Sequence, residues 1–202
     1  MTEEKQQRNR VYQVSSNREK PSHKLRYVEA SQPAEQDCRL CVGSLAAEND
    51  DQNKFSIAHT VSADIARVAF LEKQFYGKQA YPVLFFYQAL QQWPATFLTI
   101  KDDERTAGYS LMVPISGSSL SLMSLLIGKL FQGRGLGKQL LQQSIVVARS
   151  LSYQQLELSV SPDNKSAIAL YENFGFKPTK MLTDYLGPSE DRLLMTLLLT
   201  KL

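Results

Sequence analysis

The range Gly133–Gly137 holds three glycines in five residues, and it is the segment of this chain whose composition most directly suggests chemistry. Glycine lacks a Cβ and tolerates positive φ, so such a loop lets the backbone approach a ligand closely. A helix predicted to begin at Leu136 would direct its unpaired N–H groups at the same loop, and its dipole favours a bound anion. Arg134 and Lys138 add positive charge. The segment is therefore predicted to bind a pyrophosphate; the alternative is a glycine-rich helix start without a ligand.

Spacing separates this loop from two familiar phosphate loops. A Walker loop needs one more residue between Gly133 and Gly137, and it needs a hydroxyl where Gln139 stands. A dinucleotide fingerprint needs its third glycine one residue later. The pattern that fits is Q/R-x-x-G-x-G/A, which Gln132, Gly135 and Gly137 satisfy. This pattern resembles the coenzyme A pyrophosphate loop of the GNAT superfamily of N-acetyltransferases.

A second motif follows further along the chain. Leu156, Leu158 and Val160 alternate as in a strand, Asn164 is a good helix cap, and Gly175 is a natural helix stop. The segment resembles the L-x-V-x-x-x-N-x-x-A-x-x-L-Y-x-x-x-G-F signature of the same superfamily. Because both motifs occur in order and at the expected distance, the chain is identified as a member of the GNAT superfamily. Within it, the resemblance is greatest to the ribosomal-protein alanine acetyltransferase-like group.

The chain of 202 residues has the length of one domain with an extension. Residues 1–54 carry nine basic and nine acidic residues, contain no Phe or Trp, and show no periodicity. Such a segment buries too little apolar surface to offset its ordering entropy, so it is predicted to be a mostly disordered extension. Residues 55–202 are predicted to form the GNAT N-acetyltransferase domain.

Hydrophobic periodicity places the elements that must position both motifs. Antiparallel strands come first and a β-α-β-α-β order follows, which predicts an α/β fold with a mixed sheet. The resemblance implies the GNAT fold, a mixed and mostly antiparallel sheet flanked by helices. The predicted strands cover residues 55–58, 95–100, 107–113, 120–127, 155–160, 176–185 and 193–200. The predicted helices run from a Ser62 cap to Phe75, from Pro82 at the first helical position to about Gln92, from Leu136 to Leu151, and over 164–173.

Several classes of function are disfavoured. The net charge is only +3 and the basic residues form no stripe, so no nucleic-acid partner is expected. The uncharged run Thr106–Gly128 holds Pro114 and a central Ser/Gly cluster, which predicts two strands and a turn, so no membrane partner is expected. Cys38 and Cys41 form a lone C-x-x-C with too few further ligands for zinc, so no metal is expected. The first thirty residues lack the apolar core of a secretory signal, and a cytoplasmic location is the default.

The resemblance implies the reaction and most of its residues. Acetyl-CoA would donate an acetyl group to a primary amine by direct attack in a ternary complex. The backbone of Leu125, Leu126 and Ile127 would bind the thioester carbonyl and the pantetheine arm. Tyr171 would give a proton to the departing thiolate, with packing in the core as its alternative role. Asn164 would bind the coenzyme arm, a role compatible with capping a helix.

The general base is the position at which this chain departs from the alanine acetyltransferase group. That group has a glutamate directly after the first leucine of L-x-V, and here the position is Ser159. Glu157 lies on the same predicted strand face, about 7 Å back. Glu190 or Asp191 could instead act through water. A solvent relay from an amine that is already neutral would need no carboxylate at all.

The acceptor and the assembly are left open. A protein N-terminus, a lysine side chain and a small-molecule amine all fit the implied chemistry. The missing glutamate also leaves room for an acyl-CoA-binding module without catalytic activity, although the retained Tyr171 argues against it. Both a monomer and a homodimer are compatible with the sequence.

Overall fold

A computed structural model of the chain describes residues 55–103 and 105–199. The predicted extension, with Cys38 and Cys41, lies outside the described residues, and the domain boundary at residue 55 stays a prediction. The described elements are β1 (Phe55–His59), α1 (Ile65–Tyr76), α2 (Val83–Gln92), β2 (Phe97–Asp102), β3 (Arg105–Ser116), β4 (Ser119–Ile127), α3 (Leu136–Ser150), β5 (Gln155–Val160), α4 (Lys165–Asn173), β6 (Lys177–Leu182) and β7 (Arg192–Leu198).

The strands form one seven-stranded sheet in the order β1-β2-β3-β4-β5-β7-β6. Every neighbouring pair is antiparallel except β4–β5, which is parallel. Helix α3 supplies the crossover that a parallel pair requires. The predicted mixed, mostly antiparallel α/β sheet with flanking helices is therefore confirmed.

The two faces of the sheet are covered by different helices. Side chains of α1 and α2, such as Val68 and Phe86, are buried against one face. Side chains of α3, such as Leu140 and Ile145, are buried against the other face, where Ile168 of α4 also packs. Both helix layers follow from the amphipathic spacing of their apolar residues.

Several predicted boundaries were wrong by a few residues for local reasons. Strand β2 begins at Phe97, because Pro94–Thr96 form a 3₁₀ turn fixed by the Thr96 hydroxyl, which donates to the carbonyl of Met112 at 2.6 Å. Pro82 is the N-cap of α2 and not its first residue. Strand β6 ends at Leu182, since Asp184 has a φ of 50°, which no extended strand adopts.

The uncharged run Thr106–Gly128 forms β3, a tight turn and β4, as predicted. Among the described residues, no helix is both long enough and apolar enough to cross a membrane.

Asp64, rather than the predicted Ser62, organises the start of the first helix. Its carboxylate accepts hydrogen bonds from the Val61 N–H at 3.0 Å and the Thr106 hydroxyl at 3.1 Å, and it forms an ion pair with Lys101 at 2.8 Å. Burial acts to raise the pKa of Asp64, but Lys101, the Val61 N–H and Thr106 together hold it below its ordinary value. The carboxylate thus joins α1 to strands β2 and β3.

Asp64→Asn is expected to lower the free energy of unfolding at neutral pH by about 1–3 kcal/mol, because it removes a buried, hydrogen-bonded charge. A depressed carboxyl pKa contributes stability that is present above the unfolded pKa and is lost as pH falls through the folded pKa. The difference between wild type and variant should therefore shrink as pH falls below about 4. Urea denaturation across this pH range measures it, with the exposed Asp103→Asn as the control. A difference that does not change with pH would contradict the assignment.

Candidate functional site

The parallel strands β4 and β5 separate within the sheet. Their register is limited to three pairs, from Ser119↔Gln155 to Ser121↔Glu157. Strand β4 nevertheless continues to Ile127, paired with β3 on its other edge. Since backbone groups of a strand point alternately to its two edges, those on the β5 side of residues 122–127 face the gap between the strands.

A β-bulge lies at the start of this gap. Leu111 pairs with Ser124 and Met112 pairs with Leu122, so Met123 is an extra residue in β4. A bulge reverses the alternation of side chains and leaves a backbone group outside the ladder, which is why bulges recur beside active sites. Ser124 accordingly points to the α1/α2 face.

Beyond the bulge, the side chains of β4 are buried, so only its backbone N–H and C=O groups could contact a ligand in the gap. Leu125 and Ile127 belong to the core under α3, and Leu126 belongs to the core under α1 and α2. Gly108 of β3 allows close approach here, because a Cβ at that position would lie 2.4 Å from the carbonyl oxygen of Leu126. The three positions predicted to bind through their backbone therefore line the gap.

The glycine loop joins the end of β4 to α3. Gly133 and Gly135 have φ values of 77° and 73°, and Gly135 is the N-cap of the helix. A Cβ at Gly135 would meet no atom within 4 Å, so its left-handed φ, and not crowding, requires glycine there. Gly137 is different, because it lies buried inside the first helical turn.

The loop has the electrostatics of an anion site. Helix geometry leaves the N–H groups of Leu136, Gly137 and Lys138 without intrahelical acceptors. The Arg134 and Lys138 side chains are exposed beside them. The Gln132 side chain takes a supporting role: its Nε2 donates to the carbonyl of Ile127 at 3.0 Å, which ties the loop to the last residue of β4.

Asn164 and Tyr171 belong to the second motif, at the start of α4 and within it. The Asn164 Oδ1 accepts hydrogen bonds from the Ala167 N–H and the Ser166 hydroxyl, both at 3.0 Å, so the predicted N-cap is confirmed. Tyr171 is 7% exposed, and its ring meets the edge of Phe176 at 5.7 Å between centroids. Tyr171 therefore packs in the core in a position fixed by its neighbours, and its role as an acid stays a prediction.

The three candidate bases occupy different environments. Glu157 is half-buried on β5, and the Gln155 amide donates to its carboxylate. Asp191 is engaged in the β6–β7 connection, where its Oδ1 accepts from the Asp184 N–H at 2.9 Å. Glu190 is exposed in the same connection. Glu157 is thus on strand β5, whereas Glu190 and Asp191 are neighbours in the β6–β7 connection.

Ser159 and Ser121 share the sheet face of Glu157. Ser121 pairs directly with Glu157, and Ser159 follows two residues along β5, so all three side chains point to the same side. Both serines are buried, and neither Oγ has a hydrogen-bond partner in the described structure. Buried polar groups are normally satisfied by protein or ordered water, so this pair identifies a polar region next to the point where the strands separate.

A buried polar network that the sequence motifs did not predict lies behind β4. The Tyr109 hydroxyl donates to Glu72 Oε2 at 2.5 Å, and the Ser124 hydroxyl donates to the Tyr109 oxygen at 2.9 Å. Glu72 is 0% exposed. The available signal was its position: Glu72 follows Ile65 and Val68 on the apolar face of α1, at i+7 and i+4. A charged residue on a buried face is an informative exception.

Comparison with known proteins gives consistent results. The acetyltransferase (GNAT) family matches residues 62–176. An N-alpha-acetyltransferase of Sulfurisphaera tokodaii is 28% identical over 127 residues, which cover 57% of this chain and 76% of that protein. A [ribosomal protein bS18]-alanine N-acetyltransferase of Salmonella typhimurium is 30% identical over 103 residues, which cover 50% of this chain and 69% of that protein. The structure of yncA from Salmonella typhimurium with its cofactor acetyl-CoA superimposes with a TM-score of 0.63 at 20% identity, over 73% of this chain and 95% of that one.

Asn164→Ala should lower the free energy of unfolding by about 1 kcal/mol, because it removes the side-chain acceptor of the α4 N-cap. Asn164→Asp keeps that acceptor and places negative charge at a helix N-terminus, so its stability should match or exceed that of wild type. Urea denaturation of the three proteins measures the difference. Equal stability of the Ala and Asp variants would show that the cap contributes nothing.

Proposed function

This chain belongs to the acetyltransferase (GNAT) family, so acyl-CoA-dependent N-acetyltransferase is its enzyme class, and we propose that it acetylates a primary amine by direct attack in a ternary complex with acetyl-CoA. The observation that carries the proposal is the gap between β4 and β5, which opens beside the left-handed glycine loop at the start of α3. A thioester on an extended arm needs both features: backbone groups along the arm and an anion site at its end.

The anion site would bind the pyrophosphate of the coenzyme. The open space at Gly135 fits this use, because a phosphate there would meet N–H groups and not a side chain. The pantetheine arm would run along the backbone of Leu125–Ile127, and Asn164 would contribute from the start of α4. The residues proposed for the coenzyme in the loop are Gln132, Gly133, Arg134, Gly135, Leu136, Gly137 and Lys138.

The reaction itself needs little covalent machinery. The amine nitrogen attacks the thioester carbonyl carbon, the C–S bond breaks, and the coenzyme leaves as a thiolate that must gain a proton. Backbone donors at the β4 bulge would stabilise the developing oxyanion. Tyr171 would supply the proton to sulfur, since its phenol is a donor and its ring is held by the core.

The attacking amine must lose a proton, and Glu157 is the base that the geometry favours. Asp191 is engaged in its own loop and Glu190 is exposed. Glu157 instead shares a sheet face with the buried hydroxyls of Ser121 and Ser159. A water held by these hydroxyls would connect the amine to the Glu157 carboxylate, about 7 Å along the strand from the Ser159 position.

The acceptor proposed here is the α-amine of a protein N-terminus. The relatives from Sulfurisphaera tokodaii and Salmonella typhimurium carry names that state this kind of acceptor, which supports the proposal. A lysine side chain or a small-molecule amine would need the same chemistry. We also propose that the enzyme acts in the cytoplasm, as a monomer or a homodimer.

A coenzyme-binding module without activity is the second candidate, and Ser159 at the family's glutamate position favours it. Thiol release from acetyl-CoA, measured over a panel of peptides, lysine derivatives and small amines, separates the two. Turnover of any acceptor supports the enzyme. Tight binding of coenzyme A without turnover on the whole panel supports the module.

Tyr171→Phe should lower kcat by about 10²-fold or more while coenzyme A binding stays near the wild-type value, because it removes a general acid and keeps the ring. Thiol release and calorimetry measure the two effects. Tyr153→Phe is the matched control, because Tyr153 also packs against the core under α3. Unchanged turnover in Tyr171→Phe would exclude the acid role.

Gly135→Glu should abolish coenzyme A binding, because it adds bulk and negative charge where the pyrophosphate is proposed to lie. Gly77→Glu is the control: Gly77 also has a positive φ, of 54°, and a Cβ there meets no atom within 4 Å. The control therefore adds the same bulk and charge at another glycine of positive φ, at a position outside the loop. Isothermal titration of both folded variants with coenzyme A decides, and normal binding to Gly135→Glu would refute the cofactor assignment.

A further inference from the structure

Glu72, Tyr109 and Ser124 bring together α1, β3 and β4 in the interior of the protein. The Tyr109 hydroxyl donates to Glu72 at 2.5 Å and accepts from Ser124 at 2.9 Å. The other carboxylate oxygen of Glu72 accepts from the Tyr81 N–H at 3.3 Å. Glu72 and Tyr109 are 0% exposed and Ser124 is 2% exposed. The network thus connects helix α1 to the β4 bulge and to the segment that leads into α2.

This network is costly as a device for stability alone. Burial raises the pKa of the Glu72 carboxyl, and the hydrogen bonds from Tyr109 and Tyr81 offset only part of that effect. Burial and the nearby Glu72 carboxylate also hold the pKa of Tyr109 well above its usual range. Within residues 55–103 and 105–199, Glu72 forms no ion pair. A carboxylate buried without a cation partner carries a desolvation cost that neutral hydrogen-bond donors recover only in part.

The network ends at the part of β4 that matters most for the reaction. Ser124 is the residue after the bulge position Met123, and the backbone that follows faces the gap between β4 and β5. Rotation of the peptide planes at a bulge changes where its N–H groups point. A hydrogen bond from Ser124 to a rigid partner limits that rotation.

The same carboxylate also contacts the segment that precedes α2. Glu72 accepts a hydrogen bond from the Tyr81 N–H, and Tyr81 precedes Pro82, the N-cap of α2. The Tyr81 ring stacks on Phe85 of that helix at 4.4 Å. Displacement of Glu72 would therefore affect both the β4 bulge and the start of α2.

We propose that Glu72 is a positioning residue that acts through Tyr109 and Ser124 to fix the backbone of the β4 bulge for the thioester. The inference rests on the proposed function, because it assigns the orientation of the strand that would receive the acyl group. Glu72 touches neither substrate in this role. Its length and hydrogen-bonding capacity matter, and its negative charge does not.

The chemistry of glutamine makes the proposal testable. In Glu72→Gln the amide oxygen accepts from Tyr81, and the amide N–H₂ donates to the Tyr109 oxygen, whose hydroxyl then donates to Ser124. All three hydrogen bonds are therefore kept, but donor and acceptor are exchanged in the two that involve Tyr109. In Glu72→Leu the side chain stays similar in size but every hydrogen bond of the carboxylate is lost.

The experiment compares kcat, coenzyme A affinity and urea stability for Glu72→Gln, Glu72→Leu and Tyr109→Phe. Glu72→Leu and Tyr109→Phe should lose kcat by about tenfold or more. Glu72→Leu leaves the Tyr81 N–H and the Tyr109 hydroxyl without their acceptor, so its urea midpoint should fall. The coenzyme A affinity of the folded variant should change by less than about threefold. Glu72→Gln should keep kcat within about threefold of wild type. The matched control is Ser110→Ala, which removes the buried Ser110–Ser144 hydrogen bond on the α3 side of β3 and should leave kcat unchanged.

Two results would overturn the proposal: wild-type kcat in both Glu72→Leu and Tyr109→Phe, or a loss in Glu72→Gln as large as that in Glu72→Leu. A second measurement does not depend on turnover. Amide hydrogen exchange of residues 122–127 should accelerate by about tenfold in Glu72→Leu and not in Ser110→Ala. If wild type acetylates no acceptor, the proposed function fails, and unchanged exchange in Glu72→Leu would separately refute the anchoring of β4.

Discussion

The separation of β4 from β5 after three paired positions is the constraint on which the rest of the site depends. A sheet normally satisfies backbone groups by pairing each strand along both edges. Here β4 keeps its partner on the β3 edge and loses it on the other, although its side chains remain in two cores. The side chains hold the strand rigidly, so its unpaired edge can be presented to a ligand without the strand losing its place.

The remaining parts of the site are arranged around this gap. Glycines with left-handed φ turn the chain from β4 into α3, and Gln132 ties that loop to the carbonyl of Ile127. Helix α4 begins at an Asn164 cap shortly after β5. Each of the two strands beside the gap is therefore followed by the start of a helix. Because these contacts are local, each short motif determines its own geometry, and the sheet determines only the distance between them.

This locality explains how much was predictable. Gly135, Asn164 and the strands on either side follow from turn, cap and periodicity rules that act over a few residues. The bulge at Met123, the close approach of Gly108 to Leu126, and the bond between Glu72 and Tyr109 involve residues far apart in sequence. No local pattern predicts them, apart from the charge of Glu72 on an apolar helix face. The ends of β2 and β6 were also not predictable, because they depend on a tertiary hydrogen bond of Thr96 and on the φ of Asp184.

The sheet also separates the helices into two layers, one on each of its faces. The elements proposed for the coenzyme, α3 and α4, pack on one face, and α1 and α2 pack on the other. Strand β4 is common to both, since Leu125 points to one side and Ser124 to the other. Changes in α1 and α2 should therefore leave the proposed coenzyme site undisturbed, provided that the side chains which fix β4 from that face are kept. Glu72 lies where this condition applies: it belongs to helix α1, yet its hydrogen bond from Tyr109 connects it to Ser124 of β4.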